Sequence, residues 1–485
     1  MADAILSVIC IVFVCEAAAP AAAIGNAQFF WWIFLMVAFL LPYGMIVSEL
    51  GSTYDDEGGL FDWVRRAFGD AWGARVSWYY WINYPLWIAS LAVLFVQTLS
   101  ALMGGFEFAM PLALVLELAF IWAVTLISFS KVSDSAWILN LTAVLKVGIA
   151  ILVGCLGIYY AMTNGFAGDM SPETFMPSFD ANGLTYLSVI LFNFMGFEVI
   201  ATYAGSMENP KVQIPKSIIA GGIAIAALYL FSSFGIGAAI PADQVALDSG
   251  ILDALSVIVG AASPLVLLVG IVFLATLVGN MVAWAFGVNY VADYAAKKGD
   301  MPAVFARESK RNSMPTGAAI LNGVVASVLV LIAPLMALLG MDELFWVFFS
   351  MNIVFLLLSY VPMFPAFLKL RRVDALRERP FKVPGGRGIL QVVCWLPAVL
   401  IVLSVIATIV PLDGSEAELA KIPMLVGTVI FLVVGEVVRV LSARRRTEPY
   451  EGMEKSGDPD KWDVAHGYIE APEGPEEVLS APAIV

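Results

Sequence analysis

Apolar stretches of roughly 20 residues recur along almost the whole chain, each long enough to cross the hydrocarbon core of a bilayer as a helix. They fall near 4–25, 28–50, 74–102, 109–129, 135–162, 184–205, 217–240, 263–292, 317–338, 343–369, 388–411 and 422–441. Lipid offers no water to an unsatisfied backbone, so spans of this length must bond internally as α-helices. The pattern predicts an all-α polytopic membrane protein with twelve transmembrane helices. The polar connections between spans test that count. Lysine and arginine collect in every second one: Arg65 and Arg66; Lys131; Lys211 and Lys216; Lys297, Lys298, Arg307, Lys310 and Arg311; Lys369 to Arg387; and Arg444, Arg445 and Arg446. The alternate connections carry Glu107, then Asp169, Glu173 and Asp180, then Asp243, Asp248 and Asp253, then Asp342 and Glu343, with Lys421 the lone basic residue among them. A wrong count would scramble this alternation. Basic loops stay on the cytoplasmic side, so the expected placement is the plasma (inner) membrane with both termini cytoplasmic.

Composition agrees. Of 485 residues 60% are hydrophobic and 14% charged, and the mean hydropathy is +0.87; soluble domains are about half apolar and about a quarter charged. Residues 5–25 have the outline of a signal peptide, but no positive charge precedes them and Glu16 interrupts them, so a mature first span fits better. Cys10, Cys15, Cys155 and Cys394 all lie in apolar stretches with neither disulfide nor zinc spacing, and no metal or cofactor is expected. The twelve-helix domain is expected over 1–441, followed by a cytoplasmic tail over 442–485. From about 447 that tail is acidic and rich in Pro and Gly, with too few apolar residues to fold alone; it carries the single histidine, His466. The net charge of −14 owes much to this tail and the outer loops, and nucleic acid is not an expected partner.

Polar groups inside the spans carry the chemistry. An ionised side chain at mid-bilayer costs at least about 2.5–3.5 kcal/mol, so such residues serve a pathway or a partner. Glu16, Lys146 and Glu198 stand out. Lys146 either pairs at depth or snorkels to the interface. Glu198 follows Phe192, Asn193 and Gly196 in LFNFMGFEVIATYAG; it either serves a broken helix or glues two helices together. The first span holds Pro20 in AAAPAAAIG, and proline removes a backbone bond and kinks or breaks a helix. Two interrupted spans, five apart, are the sequence pointer to an inverted-repeat transporter with its site at the breaks. In WYYWINYPLW of the third span, Tyr80, Asn83 or Trp87 either lines that site, where aromatic faces can hold an ammonium, or belongs to an interfacial belt.

Four stretches then resemble a known family: YDDEGGLFDWVRRAFG after the second span, NFMGFEVIATYAGSMENPKVQIPKS at the sixth, GNMVAWAFGVNYVADYAAKKGDMP at the eighth, and RPFKVPGGRG after the tenth. In order and spacing the chain is similar to permeases of the amino acid–polyamine–organocation superfamily, nearest its bacterial glutamate/γ-aminobutyrate antiporters. The resemblance implies a five-plus-five inverted repeat of the leucine-transporter type, over about 4–162 and 184–369, with two extra helices over about 388–441. It further implies alternating access around a central site. On that resemblance Phe192 gates the substrate and Glu198 is tied to conformational or proton coupling. Lys146 matches a lysine that replaces a sodium ion in several members, which implies sodium independence. Trp284 and Tyr360 match positions facing substrate, and Asn193 and Gly196 belong to the broken sixth span. Counted back from Pro20, the Gly-Ser-Gly break that binds the amino acid carboxylate in many members falls on Phe13, Val14 and Cys15. Ala17 stands where the glutamate antiporters place a tyrosine, and Asn280 replaces an eighth-span glutamate. The expected substrate-facing set is therefore Cys15, Ala17, Phe192, Asn193, Gly196, Asn280, Trp284 and Tyr360, with Lys146 and Glu198 for coupling.

The expected activity is sodium-independent exchange of an amino acid for a related amino acid or its decarboxylated amine, which would link the carrier to a cytoplasmic decarboxylase. A proton-coupled symporter is the alternative in the same class. A transporter-like nutrient sensor is the alternative from another class. A catalytic site is not expected, because no convergent nucleophile, base or metal set is visible.

Overall fold

Helices of this length form here because each satisfies its own backbone while turning apolar side chains outward. The computed structural model describes residues 12–54, 58–177, 187–197, 210–338, 343–446 and 449–456, and among these no strand occurs. The first span parts at Phe13–Val14, which are non-helical, and resumes through a 3-10 turn, Cys15–Ala17, into α1 (Ala18–Ala22). There follow α2 (Gly25–Thr53), the short α3 (Gly59–Phe68), α4 (Asp70–Leu102), α5 (Met110–Ile127) and α6 (Val132–Asn164). The second half runs α7 (Leu187–Phe192), α8 (Pro210–Ala239), the short α9 (Gly250–Val259), α10 (Pro264–Lys297), α11 (Thr316–Leu338) and α12 (Leu344–Val373). Two further long helices, α13 (Arg387–Ile409) and α14 (Ile422–Ala443), follow.

Ten of the described helices are long and apolar enough to cross a membrane. The other two expected spans, near 4–25 and 184–205, are represented by the broken segments around α1 and α7. Glu198, with the rest of 198–209, lies outside the described residues, as do Cys10 and His466. The order of elements in the two halves is the same. A broken span, a long span and a ten-residue helix are followed by a span of 33 residues in α4 and of 34 in α10. Pro20 is not the point of interruption that its chemistry suggests. It sits in the first turn of α1, where a missing N–H leaves no bond unmade.

Connections expected on one face by charge do meet there. On the acidic face Asn26 Nδ2 donates to Asp169 O and to Thr174 Oγ1, both at 2.8 Å, and Ala167 N donates to Ala238 O at 3.0 Å. On the basic face Arg371 clasps Glu49 through two bonds, at 2.7 and 2.8 Å, and Tyr54 Oη donates to Asp374 at 2.8 Å. Nearby, Arg65 pairs with Asp70 at 2.8 Å and Asp300 at 2.9 Å, while Arg446 pairs with Asp70 at 3.0 Å and also with Asp300. The start of the tail joins this cluster. Tyr450 N donates to Asp70 Oδ2 at 2.8 Å, and Asp70 N donates to Tyr450 O at 3.0 Å. Lys421, the basic residue on the acidic face, is buried against Glu418 (2.5 Å) and Ala407 O (2.8 Å); it is a local ion pair rather than an orientation signal.

Two predictions follow from this packing. The α6–α8 crossing brings backbone onto backbone. A Cβ at Gly235 would lie 2.3 Å from Val153 O, and one at Gly157 would lie 2.3 Å from Gly235 Cα, whereas a Cβ at Gly237 meets nothing within 4 Å. Alanine is the better helix former, so Gly235→Ala should lower the thermal midpoint of the purified protein and Gly237→Ala should not. Burial raises the Asp300 carboxyl to about 7, although Arg65 and Arg446 pull it down. A carboxyl raised in the folded state binds more protons there than in the unfolded chain. The stability it contributes is therefore full in acid and lost as pH rises through about 4 to 7. Asp300→Asn should flatten that decline, read by thermal unfolding at pH 4.5, 6 and 7.5.

Candidate substrate and coupling site

The opening of the first span leaves backbone groups that nothing in lipid can satisfy. A single hydroxyl from α8 takes two of them: Val14 N donates to Tyr229 Oη at 2.9 Å, and Tyr229 Oη lies 3.2 Å from Val14 O. The Tyr229 ring is held by stacking on Trp32 (5.1 Å, 18° between planes) and by a tilted contact with Phe13 at 4.7 Å. The next carbonyl, Phe13 O, accepts from Lys146 Nζ of α6 at 2.8 Å. Lys146 is 1% exposed, so it is paired at depth and does not snorkel. Its Nζ also donates to Asn280 Oδ1 of α10 at 2.6 Å, and Asn280 Nδ2 donates to Glu16 Oε1 at 3.1 Å. An ammonium and a carboxylate are thus joined through one carboxamide, whose oxygen meets the cation and whose nitrogen meets the anion. Each charge has an opposite partner and a hydrogen bond, the condition for residing in low dielectric. Cys15 Sγ packs against Lys146 O at 3.7 Å, and Ala17 is fully buried beside Glu16.

Next to this chain of charges lies a cluster of four rings from four helices. Trp87 of α4 meets Trp284 of α10 at 5.1 Å and Phe192, the last residue of α7, at 5.2 Å; Phe192 in turn meets Phe349 of α12 at 5.7 Å. The described part of the sixth span runs into this cluster. Gly196 adopts φ +99°, where side chains are strained, and a Cβ there would stand 3.5 Å from the Trp284 indole. Buried amides flank the rings. Asn193 follows Phe192, and Asn352 lies one turn beyond Phe349; both are fully buried, and neither nitrogen nor oxygen of either amide has a partner among the described residues. Unpaired buried amides cost about 1–3 kcal/mol each, a cost that a polar ligand can relieve. Aromatic faces attract a cation, most strongly when it is desolvated. The arrangement suits a small molecule with cationic and hydrogen-bonding ends.

Of the expected site residues, Cys15, Phe192, Gly196, Asn280, Trp284 and Lys146 converge here, with Asn193 at the same break. Tyr360 does not join them. It meets Tyr43 edge-on at 5.7 Å, eleven residues along α12 from Phe349, about 16 Å at helical rise. Within WYYWINYPLW the far end is structural, since Trp78 Nε1 donates to Phe431 O of α14 at 2.9 Å, and Trp87 is the residue that reaches the cluster. Three participants lacked an assigned role from sequence. Glu16 was visible as an intramembrane acid without a partner to name. Tyr229 and Phe349 sit in largely apolar spans, where a capping hydroxyl or a site ring follows the same apolar pattern as core.

Comparisons with known proteins bear on what the site takes. The family model described as amino acid permease matches residues 2–434. The "Probable agmatine/putrescine antiporter" of Lactococcus lactis subsp. lactis (strain IL1403) is 54% identical over 438 residues, covering 90% of this chain and 93% of that protein. The glutamate/gamma-aminobutyrate antiporter of the same organism is 21% identical over 433 residues, covering 85% and 84%. A "Probable polyamine transporter" of Arabidopsis thaliana is 24% identical over 391 residues, covering 80% and 73%. The similarity to the agmatine/putrescine antiporter far exceeds that to the glutamate antiporter.

Removing Lys146 would strand Glu16, Asn280 Oδ1 and Phe13 O together; deleting one partner of a buried pair costs about 3–5 kcal/mol. Lys146→Ala is therefore expected to lose most transport in reconstituted vesicles, with no rescue by added sodium. Wild-type rates in that variant would contradict the role.

Proposed function

We propose that this chain, which belongs to the amino acid permease family, exchanges small cationic amines of the agmatine and putrescine type across the plasma membrane, without sodium. The chain is a membrane transporter rather than an enzyme, and its antiporter relatives support antiport of substrates related to amino acids. The observation that carries the finer reading is the four-ring cluster of Trp87, Phe192, Trp284 and Phe349 where the two broken spans meet. Rings of this kind bind desolvated cations, and the strong likeness to an agmatine/putrescine antiporter points to the same chemistry. On the resemblance, Lys146 matches a lysine that takes the place of a sodium ion, and its ammonium reaches Glu16 through Asn280, which supports sodium independence. Alternating access would open the centre first to one face and then to the other. The loaded carrier crosses and the empty one does not, so a substrate that stabilises the occluded state gives exchange.

Counterflow in proteoliposomes tests the reading. Sodium-free vesicles loaded with unlabelled putrescine should accumulate external labelled putrescine or agmatine, and empty vesicles should not. Equal uptake into empty vesicles under an imposed proton gradient would establish the symporter instead. Binding without any flux would favour the sensor.

A further inference from the structure

We propose that Glu16 sets the selectivity of the site: it stands in for the carboxylate that a decarboxylated substrate has lost, pairing with the substrate's primary ammonium and excluding the parent amino acid. The inference rests on the amine-exchange reading above and names the residue that enforces it.

An α-amino acid needs hydrogen-bond donors or a cation for its carboxylate, and a broken helix can offer its freed amides. Here part of that offer is already taken. Val14 N is committed to Tyr229 Oη, and the neighbouring ammonium of Lys146 is held by Phe13 O and Asn280 Oδ1. The break carries a negative charge of its own two residues on, in the 3-10 turn, where Glu16 is 3% exposed. A carboxylate arriving at this point would face like charge in low dielectric, whereas an ammonium would face its counter-ion. Lys146, one amide away, supplies the balancing charge that lets Glu16 reside there before substrate arrives. This chain has an amide at position 280 and an acid at 16, with the two side chains 3.1 Å apart.

The test is competition against labelled putrescine in counterflow by putrescine, agmatine, ornithine and arginine, for wild type, Glu16→Gln and Glu16→Asp. In wild type the amines should compete better than their parent amino acids by at least about tenfold. Glu16→Gln should weaken the amines by about tenfold or more and spare the parents, so that the preference collapses. An equal loss for all four would mean that Glu16 only balances Lys146, and an unchanged preference would equally overturn the proposal. Glu16→Asp keeps the charge and withdraws it by one methylene. With a series of α,ω-diamines of three to six methylenes added as competitors, it should retain the preference for amines and move the optimal diamine about one methylene longer; an unmoved optimum overturns the proposal even if Glu16→Gln does not fold. Wild type preferring ornithine or arginine would instead refute the amine reading itself.

Discussion

A gap in a transmembrane helix must be filled by protein, because lipid fills nothing. In this chain the gap at Phe13–Val14 is closed from two directions, by the Tyr229 hydroxyl of α8 and the Lys146 ammonium of α6. The rest of the centre follows from that requirement. A buried ammonium needs an anion, Glu16 supplies it, and Asn280 bridges the two because a carboxamide can face a cation with one atom and an anion with the other. Lys146, Asn280 and Tyr229 come from spans five, eight and seven, so three helices that could otherwise slide along apolar surfaces are pinned to the first span. Hydrophobicity gives no such register in a bilayer, where lipid is as apolar as leucine.

The same logic explains the division of labour between centre and faces. At the centre, charges are few and balanced through Asn280, and the proposed recognition surface is made of rings and amides. At the basic face, charges are dense and cross-linked. Arg371 and Arg379 converge on Glu49, and Arg65 and Arg446 share Asp70 and Asp300. These ties join the connections after the second, eighth, tenth and twelfth spans, together with Tyr450 from the start of the tail. A carrier that alternates must be able to break such a network and remake it. Most of these groups are buried, so each partner that leaves must be replaced by another or by admitted water.

Much of this was legible in the chain and some was not, for identifiable reasons. Span positions and the sorting of connections to two faces could be read because bilayer thickness and the placement of lysine and arginine act on sequence directly. The sixth-span break could be read because Gly196 sits between Asn193 and Glu198 in an otherwise apolar stretch, and it does take a positive φ of 99°. Pro20 misled, since proline breaks a helix only beyond its first turn, and a sequence does not show where the turn begins. Lys146 and Glu16 were conspicuous singly, but their link runs through Asn280, more than 130 positions from Lys146. Phe349 and Tyr229 carried no signal because a ring at the site and a ring in the core obey the same apolar pattern. Tyr360 was placed by resemblance, and the geometry sets it roughly three turns from the cluster.

The most direct measurement is equilibrium binding to the purified carrier in sodium-free detergent solution, followed by its tryptophan fluorescence, since Trp87 and Trp284 stand at the site. Titration with putrescine should give a saturable change that is insensitive to added sodium, lost in Trp284→Leu, and far weaker with ornithine. Saturable binding of ornithine with no response to putrescine, or a response that appears only when sodium is added, would contradict the account of a sodium-free amine site built around Glu16 and Lys146.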